Sequence, residues 1–154
     1  MNDRSSSRAL LAGFLLLAFC LPLGLVLEAL HALKVPVYLG SALRRELWTL
    51  AHAHGNLLGM LCLVFGALGP RLGGDPARRT RLATWLVVGA VLMPLGFLLG
   101  GVQNREGDPS LGIVLVPVGG VALLVALFGA ARLVLAGSVS APAPAASATA
   151  GGAS

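Results

Sequence analysis

The sequence predicts an all-α integral membrane protein, a four-helix bundle that crosses the bilayer four times. Of its 154 residues, 56% are hydrophobic and 11% are charged, whereas soluble domains carry about 25% charged residues. A helix needs roughly 20 apolar residues to cross a hydrocarbon core about 30 Å thick. Four stretches reach that length: Ala9–Leu33, Trp48–Leu68, Leu82–Val102 and Leu111–Leu135. We therefore expect one four-helix domain over residues 1–136 and a separate tail over residues 137–154.

The first span has the basic start of a signal peptide, because Arg4 and Arg8 precede its apolar run. That run is longer than the about 7–15 apolar residues of a cleavable signal, so we predict a helix that is retained. A lipoprotein cleavage site has a small residue immediately before its cysteine, whereas Cys20 is preceded by the bulky Phe19, which argues against such a site. Cys62 lies in the middle of the second span, and the two cysteines do not indicate a disulfide framework.

The basic residues predict the orientation of the spans. One side carries seven of the eleven, and the other carries Lys34, Arg44, Arg45 and Arg105. The positive-inside rule then places both termini in the cytoplasm of a bacterial-type inner membrane. The formal charge of +5 is a topology signal and suits anionic lipid, so the bilayer is a predicted partner and nucleic acid is not.

Aromatic residues, glycines and prolines predict how the spans are anchored, packed and bent. The first outer loop contains Tyr38 and leads to Trp48, and both are natural anchors at the membrane interface. Glycines four residues apart in the second and third spans permit close approach of helices, within the bundle or in a homo-oligomer. Pro22, Pro94 and Pro117 each predict a kink or an opened carbonyl inside a span.

The fourth span leads into the tail, which is biased toward alanine, proline, serine and glycine. Such a composition lacks the large apolar residues that a packed core requires. We predict that residues 137–154 are disordered.

Polar residues of the second span lie in a single layer near the predicted outer face. With Trp48 at the interface and a rise of about 1.5 Å per residue, His52 lies roughly 6 Å deep, His54 about 9 Å and Asn56 about 12 Å. Ionisable groups in a bilayer are costly and commonly mark a functional site. The sequence therefore predicts a polar pocket that opens toward the periplasm.

Two other spans reach the same layer. Glu28 lies roughly 9 Å from the boundary at Lys34, and His31 lies about 4 to 5 Å from it. The third span ends there with Gln103 and Asn104. These side chains are candidates for ligand binding, with Gln103 and Asn104 as substrate-orienting groups.

Helical periodicity limits what the histidines can bind together. At about 100° per residue, His52 and Asn56 share a face, whereas His54 is turned about 200° from His52. One regular helix cannot direct both histidines at a single metal. Glu28 and His31 have the E-x-x-H spacing of di-iron bundles, but such sites require two of these motifs.

Several interpretations of these polar residues stay open. His52 is a haem or metal ligand, or a hydrogen-bonding residue between helices, and His54 is the alternative ligand. Asn56 either orients a substrate or joins helices. Glu28 either extends to the interface or holds the second nitrogen of a histidine. The sequence has no phosphate-binding loop and no hydrolase triad. It also has no Cys-x-x-Cys-His motif, which excludes covalently bound haem.

The stretch from Trp48 to Met60, "WTLAHAHGNLLGM", resembles the W-x-x-A-H-x-x-x-x-L-x-G-M pattern of the styrene-oxide isomerase family. The related hydroxylaminobenzene mutases are similar there. The resemblance implies a four-span protein in which His52 is the axial ligand of haem b, at the contact between subunits of a trimer. It further implies that ferric iron acts as a Lewis acid, which opens an epoxide before an internal shift gives an aldehyde.

Three other family positions differ in this chain, where Leu58, Pro94 and Leu98 replace two asparagines and a tyrosine. The substrate-orienting role would then fall to Asn56, Gln103, Asn104 or His54. The leading hypothesis is a haem b-dependent membrane isomerase for a small hydrophobic substrate that enters from the lipid. The alternatives are a non-catalytic haem-binding or redox-accessory protein, and a structural bundle without a cofactor.

Overall fold

Four long helices dominate the computed structural model, which describes residues 4–102, 104 and 107–139. In chain order the helices are α1 (Arg4–Ala32), α2 (Pro36–Leu39), α3 (Ala42–Leu68), α4 (Pro76–Gly100) and α5 (Leu115–Val139). Short 3₁₀ turns cover Gly69–Leu72 and Leu111–Val114. α1, α3, α4 and α5 are all long and apolar enough to cross a membrane. The all-α fold with four candidate spans is thus confirmed, whereas the side on which the termini lie stays a prediction.

The helix ends differ from the predicted spans. α3 and α4 each begin six residues earlier than predicted, and α1 begins at Arg4. Apolar runs mark the part of a helix that crosses hydrocarbon, and helices continue into the polar interface where their first N–H groups find partners. The Ser41 hydroxyl accepts a hydrogen bond from the Arg44 N–H at 3.1 Å, and Pro76 is the first residue of α4.

The carboxyl-terminal part of the chain also departs from the prediction. α5 begins at Leu115, so Pro117 lies in its first turn, where no helical hydrogen bond is lost. Pro22 and Pro94 lie inside the continuous helices α1 and α4. α5 extends to Val139, three residues into the predicted tail, and residues 140–154 lie outside the described residues.

α1 and α3 pack antiparallel along a line of small residues, which we call the glycine seam: Gly13 and Cys20 on α1 and Gly55, Gly59 and Gly66 on α3. A Cβ atom at Gly13 would lie 2.8 Å from the carbonyl oxygen of Gly59, and one at Gly66 would lie 2.6 Å from Leu10. A Cβ at Gly55 would overlap Cys20 Sγ. The seam lets the two backbones approach closely, which favours helix association in lipid.

α4 connects the glycine seam to the rest of the fold. It packs against α1, α3 and α5, and α5 packs mainly against α4. The contact between α4 and α5 again uses glycine, because a Cβ at Gly89 would lie 2.7 Å from the carbonyl oxygen of Gly119. This packing of α4 places the amino-terminal half of α3, with its polar residues, between α1 and α4.

Candidate functional site

His52 lies on the face of α3 that contacts α1. Its Nδ1 is 2.8 Å from the carbonyl oxygen of Cys20, and the imidazole is half-buried. The ring occupies the space above Gly24, where any side chain would overlap it. Because a carbonyl oxygen only accepts, this contact requires a proton on Nδ1, so Nε2 is the ring nitrogen that does not contact α1 through a hydrogen bond. α1 therefore fixes both the position and the tautomer of His52.

Asn56 lies one helical turn after His52 and contacts the same imidazole. Its Nδ2 donates to the His52 carbonyl oxygen at 3.0 Å and lies 3.2 and 3.4 Å from the two ring nitrogens. Its Oδ1 is buried and has no hydrogen-bond partner among the described residues. A buried acceptor without a donor costs about 1–3 kcal/mol. This amide oxygen is thus a point at which a ligand or a partner chain would supply a missing donor.

His54 lies on the opposite side of α3. Its ring centroid is 4.9 Å from that of Phe97 on α4, and its Nδ1 lies 2.9 Å from the Leu50 carbonyl oxygen of its own helix. His52 contacts α1, so the two histidines point to different neighbours. They cannot bind one iron or metal ion within a single chain.

Glu28 and His31 are exposed on α1. His31 is edge-on to Tyr38 with 6.5 Å between ring centroids, and Glu28 makes no hydrogen bond or ion pair within the described part of the chain. The described residues contain no group of three or more histidine, cysteine, aspartate or glutamate side chains that would hold a metal ion. Of the predicted site residues, the structure brings together His52 and Asn56.

Asn104 belongs to a different network, centred on Arg44. Arg44 Nε donates to the Gly101 carbonyl oxygen at 2.9 Å, and Nη2 donates to Asn104 Oδ1 at 3.0 Å and to the Val102 carbonyl oxygen at 3.4 Å. A cation stabilises the carbonyl groups at a helix carboxyl terminus, and this one caps α4. Asn104 Nδ2 also donates to the Ser41 hydroxyl at 2.6 Å. Gln103 lies outside the described residues.

Aromatic rings extend this network toward α1. Trp48 Nε1 donates to the Leu98 carbonyl oxygen at 3.1 Å, and the Trp48 ring stacks on the buried Tyr38 with 6.1 Å between centroids. The Arg44 guanidinium carbon lies 5.8 Å from the centre of the Trp48 ring. Arg44 is not among the predicted site residues, because its partners at Gly101, Val102 and Asn104 are distant in the sequence. We call Tyr38, Arg44, Trp48 and Asn104 the outer cap, after the outer face that the sequence predicts for this end of the bundle.

An apolar cavity of about 200 Å³ lies between α1, α3 and α4. Cys20 and Ala51 form part of its wall, and the exposed side chains of Phe19 and Leu95 place it at the surface between α1 and α4. Cys20 lies between the cavity and the site, because it lines the cavity and its carbonyl oxygen accepts a hydrogen bond from His52, which is not one of the lining residues. Apolar cavities between helices of a bundle are a common form of small-molecule site.

No family model, no curated protein and no solved structure matches this chain. The resemblance of the stretch from Trp48 to Met60 to the isomerase pattern thus remains a prediction from a short sequence.

Replacing Gly24 with alanine should displace the His52 ring, because the new methyl group would occupy its place. We expect a loss of about 1–2 kcal/mol in the free energy of unfolding, from overpacking and the broken hydrogen bond. Titration with SDS measures this change in the free energy of unfolding. In a His52→Ala background the same Gly24→Ala change should be almost neutral, and an equal loss in both backgrounds would contradict the assigned contact.

Proposed function

We propose that this chain is a multi-pass membrane protein that binds haem b through His52 and isomerises a small hydrophobic substrate. The observation that carries the proposal is the hydrogen bond from His52 Nδ1 to the Cys20 carbonyl oxygen at 2.8 Å. Histidines that bind metals almost always donate their other N–H to a carbonyl or a carboxylate. His52 has that arrangement, with Nε2 left to bind iron.

The positions of the other polar groups favour substrate binding over electron transfer. His54 faces α4, so a haem held by His52 would not be bound by His54 of the same chain as well and could bind a substrate. When bound, ferric haem would supply a Lewis acid that polarises an oxygen of the substrate. Asn56, with Nδ2 close to the ring, restricts the orientation of the imidazole.

The apolar cavity beside Cys20 supports the hydrophobic nature of the substrate. Its lining exposes almost no polar surface, and it lies between helices that would face lipid. A small apolar molecule concentrates in the bilayer and would reach such a cavity without crossing water. Its volume of about 200 Å³ limits the substrate to a small molecule.

A structural role for His52 is the second candidate. The ring is already packed over Gly24 and bonded to Cys20, and both contacts join α1 to α3 without any cofactor. Polar side chains of this kind contribute about 0.6 kcal/mol on average to helix association in membranes. The non-catalytic haem protein of the sequence-based alternatives would need its second ligand from another copy of the chain.

Visible absorption spectra of the detergent-purified protein, expressed with added haem, test the proposal. We expect a Soret band in the wild type and in His54→Ala, and no such band in His52→Ala. A high-spin spectrum that changes on addition of a small epoxide would support the isomerase. Product analysis by gas chromatography would then show the aldehyde.

Other spectra would contradict the proposal in different ways. A folded wild-type protein without a Soret band, despite sufficient haem, leaves the structural role of His52. A low-spin spectrum that does not respond to epoxide supports the non-catalytic haem protein. A band that is retained in His52→Ala and lost in His54→Ala shows that the ligand was assigned to the wrong face of α3.

A further inference from the structure

A groove of about 510 Å³ runs between α4 and α5, away from the His52 site. Its walls are apolar and include Trp85 on α4 and Val125 and Phe128 on α5. Three arginines lie at one end of it: Arg78, Arg81 and Arg132. This end of the fold also holds the start of α1 and the connection from α3 to α4, and we call it the arginine-rich end.

The three arginines come from both helices and lie at one level. A Cβ at Gly129 of α5 would overlap Leu82 of α4, which fixes the register of the antiparallel pair. Arg132 follows Gly129 by three residues and Arg78 precedes Leu82 by four, so both lie about 5 Å beyond that contact. The three guanidinium groups thus converge on one mouth of the groove.

None of these three guanidinium groups has a hydrogen-bond or ion-pair partner among the described residues. Arg79 differs, because it donates to the carbonyl oxygens of Gly73 and Gly74 at the start of α4. Asp75, the acidic residue described nearby, forms no ion pair within that part of the chain. The mouth of the groove therefore carries uncompensated positive charge that suits an anion.

The length of the groove fits one leaflet of a bilayer. From Arg132 back to Val121, the lining of α5 covers twelve residues, whose ends lie about 16 Å apart along the helix. Half of a hydrocarbon core about 30 Å thick is roughly 15 Å. An acyl chain whose phosphate lies at the arginines would extend along the apolar walls to the middle of the membrane.

We propose that this groove binds an anionic phospholipid, with its phosphate against Arg78, Arg81 and Arg132 and an acyl chain along Trp85 and Phe128. Basic pockets between membrane helices bind anionic headgroups in this way. Two features select a lipid over free phosphate: the apolar length below the arginines, and their position at the end of the two spans.

Trp85 provides a reporter for this site. Fluorescence quenching is measured for the wild-type protein in bilayers that contain brominated phosphatidylglycerol or brominated phosphatidylcholine, and Trp85→Phe gives the background from Trp48. We expect phosphatidylglycerol to bind beside Trp85 about fivefold or more tightly than phosphatidylcholine. Equal binding of the two lipids would overturn the proposal.

Paired variants separate the groove from general surface charge. Arg81→Gln with Arg132→Gln should remove the preference, whereas Arg8→Gln with Arg71→Gln, which loses the same charge at the same end, should retain it. A similar loss in both pairs would overturn the proposal. The single variants Arg81→Gln and Arg132→Gln, at exposed positions, serve if the double variant does not fold.

A final experiment distinguishes binding of a lipid from binding of free phosphate. Sodium phosphate replaces sodium chloride at equal ionic strength, and the preference for phosphatidylglycerol should persist. If phosphate alone abolishes the preference, the arginines form a site for inorganic anions and the proposed lipid site is wrong.

Discussion

Replacing Arg44 with methionine is expected to lower the free energy of unfolding by about 2–4 kcal/mol. The side chain donates to the carbonyl oxygens of Val37, Gly101 and Val102 and to Asn104. Methionine keeps much of the aliphatic length but supplies no donor, so these acceptors would lose a charge-assisted partner. The loss exceeds the usual effect of a surface substitution because two of these carbonyl groups, at Gly101 and Val102, follow the last turn of α4, which contains no basic residue.

Arg45→Met is the matched control, since Arg45 is the next residue and donates to the single carbonyl oxygen of Leu39. SDS titration should show a much smaller change for Arg45→Met than for Arg44→Met. Arg44→Lys should fall between the wild type and Arg44→Met, because lysine keeps the charge but not the planar set of donors. Equal effects at the two arginines would refute the outer cap as a stabilising element.

Gly13→Ala is expected to destabilise the contact between α1 and α3 by about 1–2 kcal/mol. Alanine by itself favours a helix over glycine by up to about 1 kcal/mol. The new Cβ would lie 2.8 Å from the Gly59 carbonyl oxygen and 2.7 Å from Leu63. A backbone oxygen inside a helix cannot move aside, and overpacking of this kind costs about 1–3 kcal/mol. The steric cost therefore exceeds the gain in helix propensity.

Gly120→Ala provides the comparison for Gly13→Ala. A Cβ at Gly120 would meet the terminal methyl group of Met93 at 3.5 Å, which is an ordinary contact. The Gly120 variant should be neutral or slightly stabilised in the same SDS titration. Destabilisation of both variants to the same extent would mean that glycine flexibility, and not close packing of α1 on α3, explains the effect.

The fold was predictable because the number of spans depends on local composition. Four apolar runs of sufficient length indicate four helices, and the structure has them at those places. The helix ends were less predictable, since they depend on single partners such as the Ser41 hydroxyl that accepts from Arg44. Pro117 was expected inside a span and lies in the first turn of α5 because the 3₁₀ turn Leu111–Val114 precedes it.

The candidate site was predictable as far as one helix determines it. The angle of about 100° per residue separates His52 from His54, and in the structure they contact α1 and α4. The role of Gly24 was not predictable, because it depends on which helix packs on α3 and in what register. The outer cap was not predictable either, since Arg44 and Asn104 are 60 residues apart in the chain.

That long separation has a consequence for how the protein is assembled. When α3 has been synthesised, the acceptors of Arg44 at Gly101 and Val102 do not yet exist, because they follow α4 in the chain. Until α4 emerges, α1 and α3 are held by the glycine seam and by the bond between His52 and Cys20. The glycine seam thus needs only α1 and α3, whereas the outer cap requires the end of α4, and α5 is made later still and packs on α4.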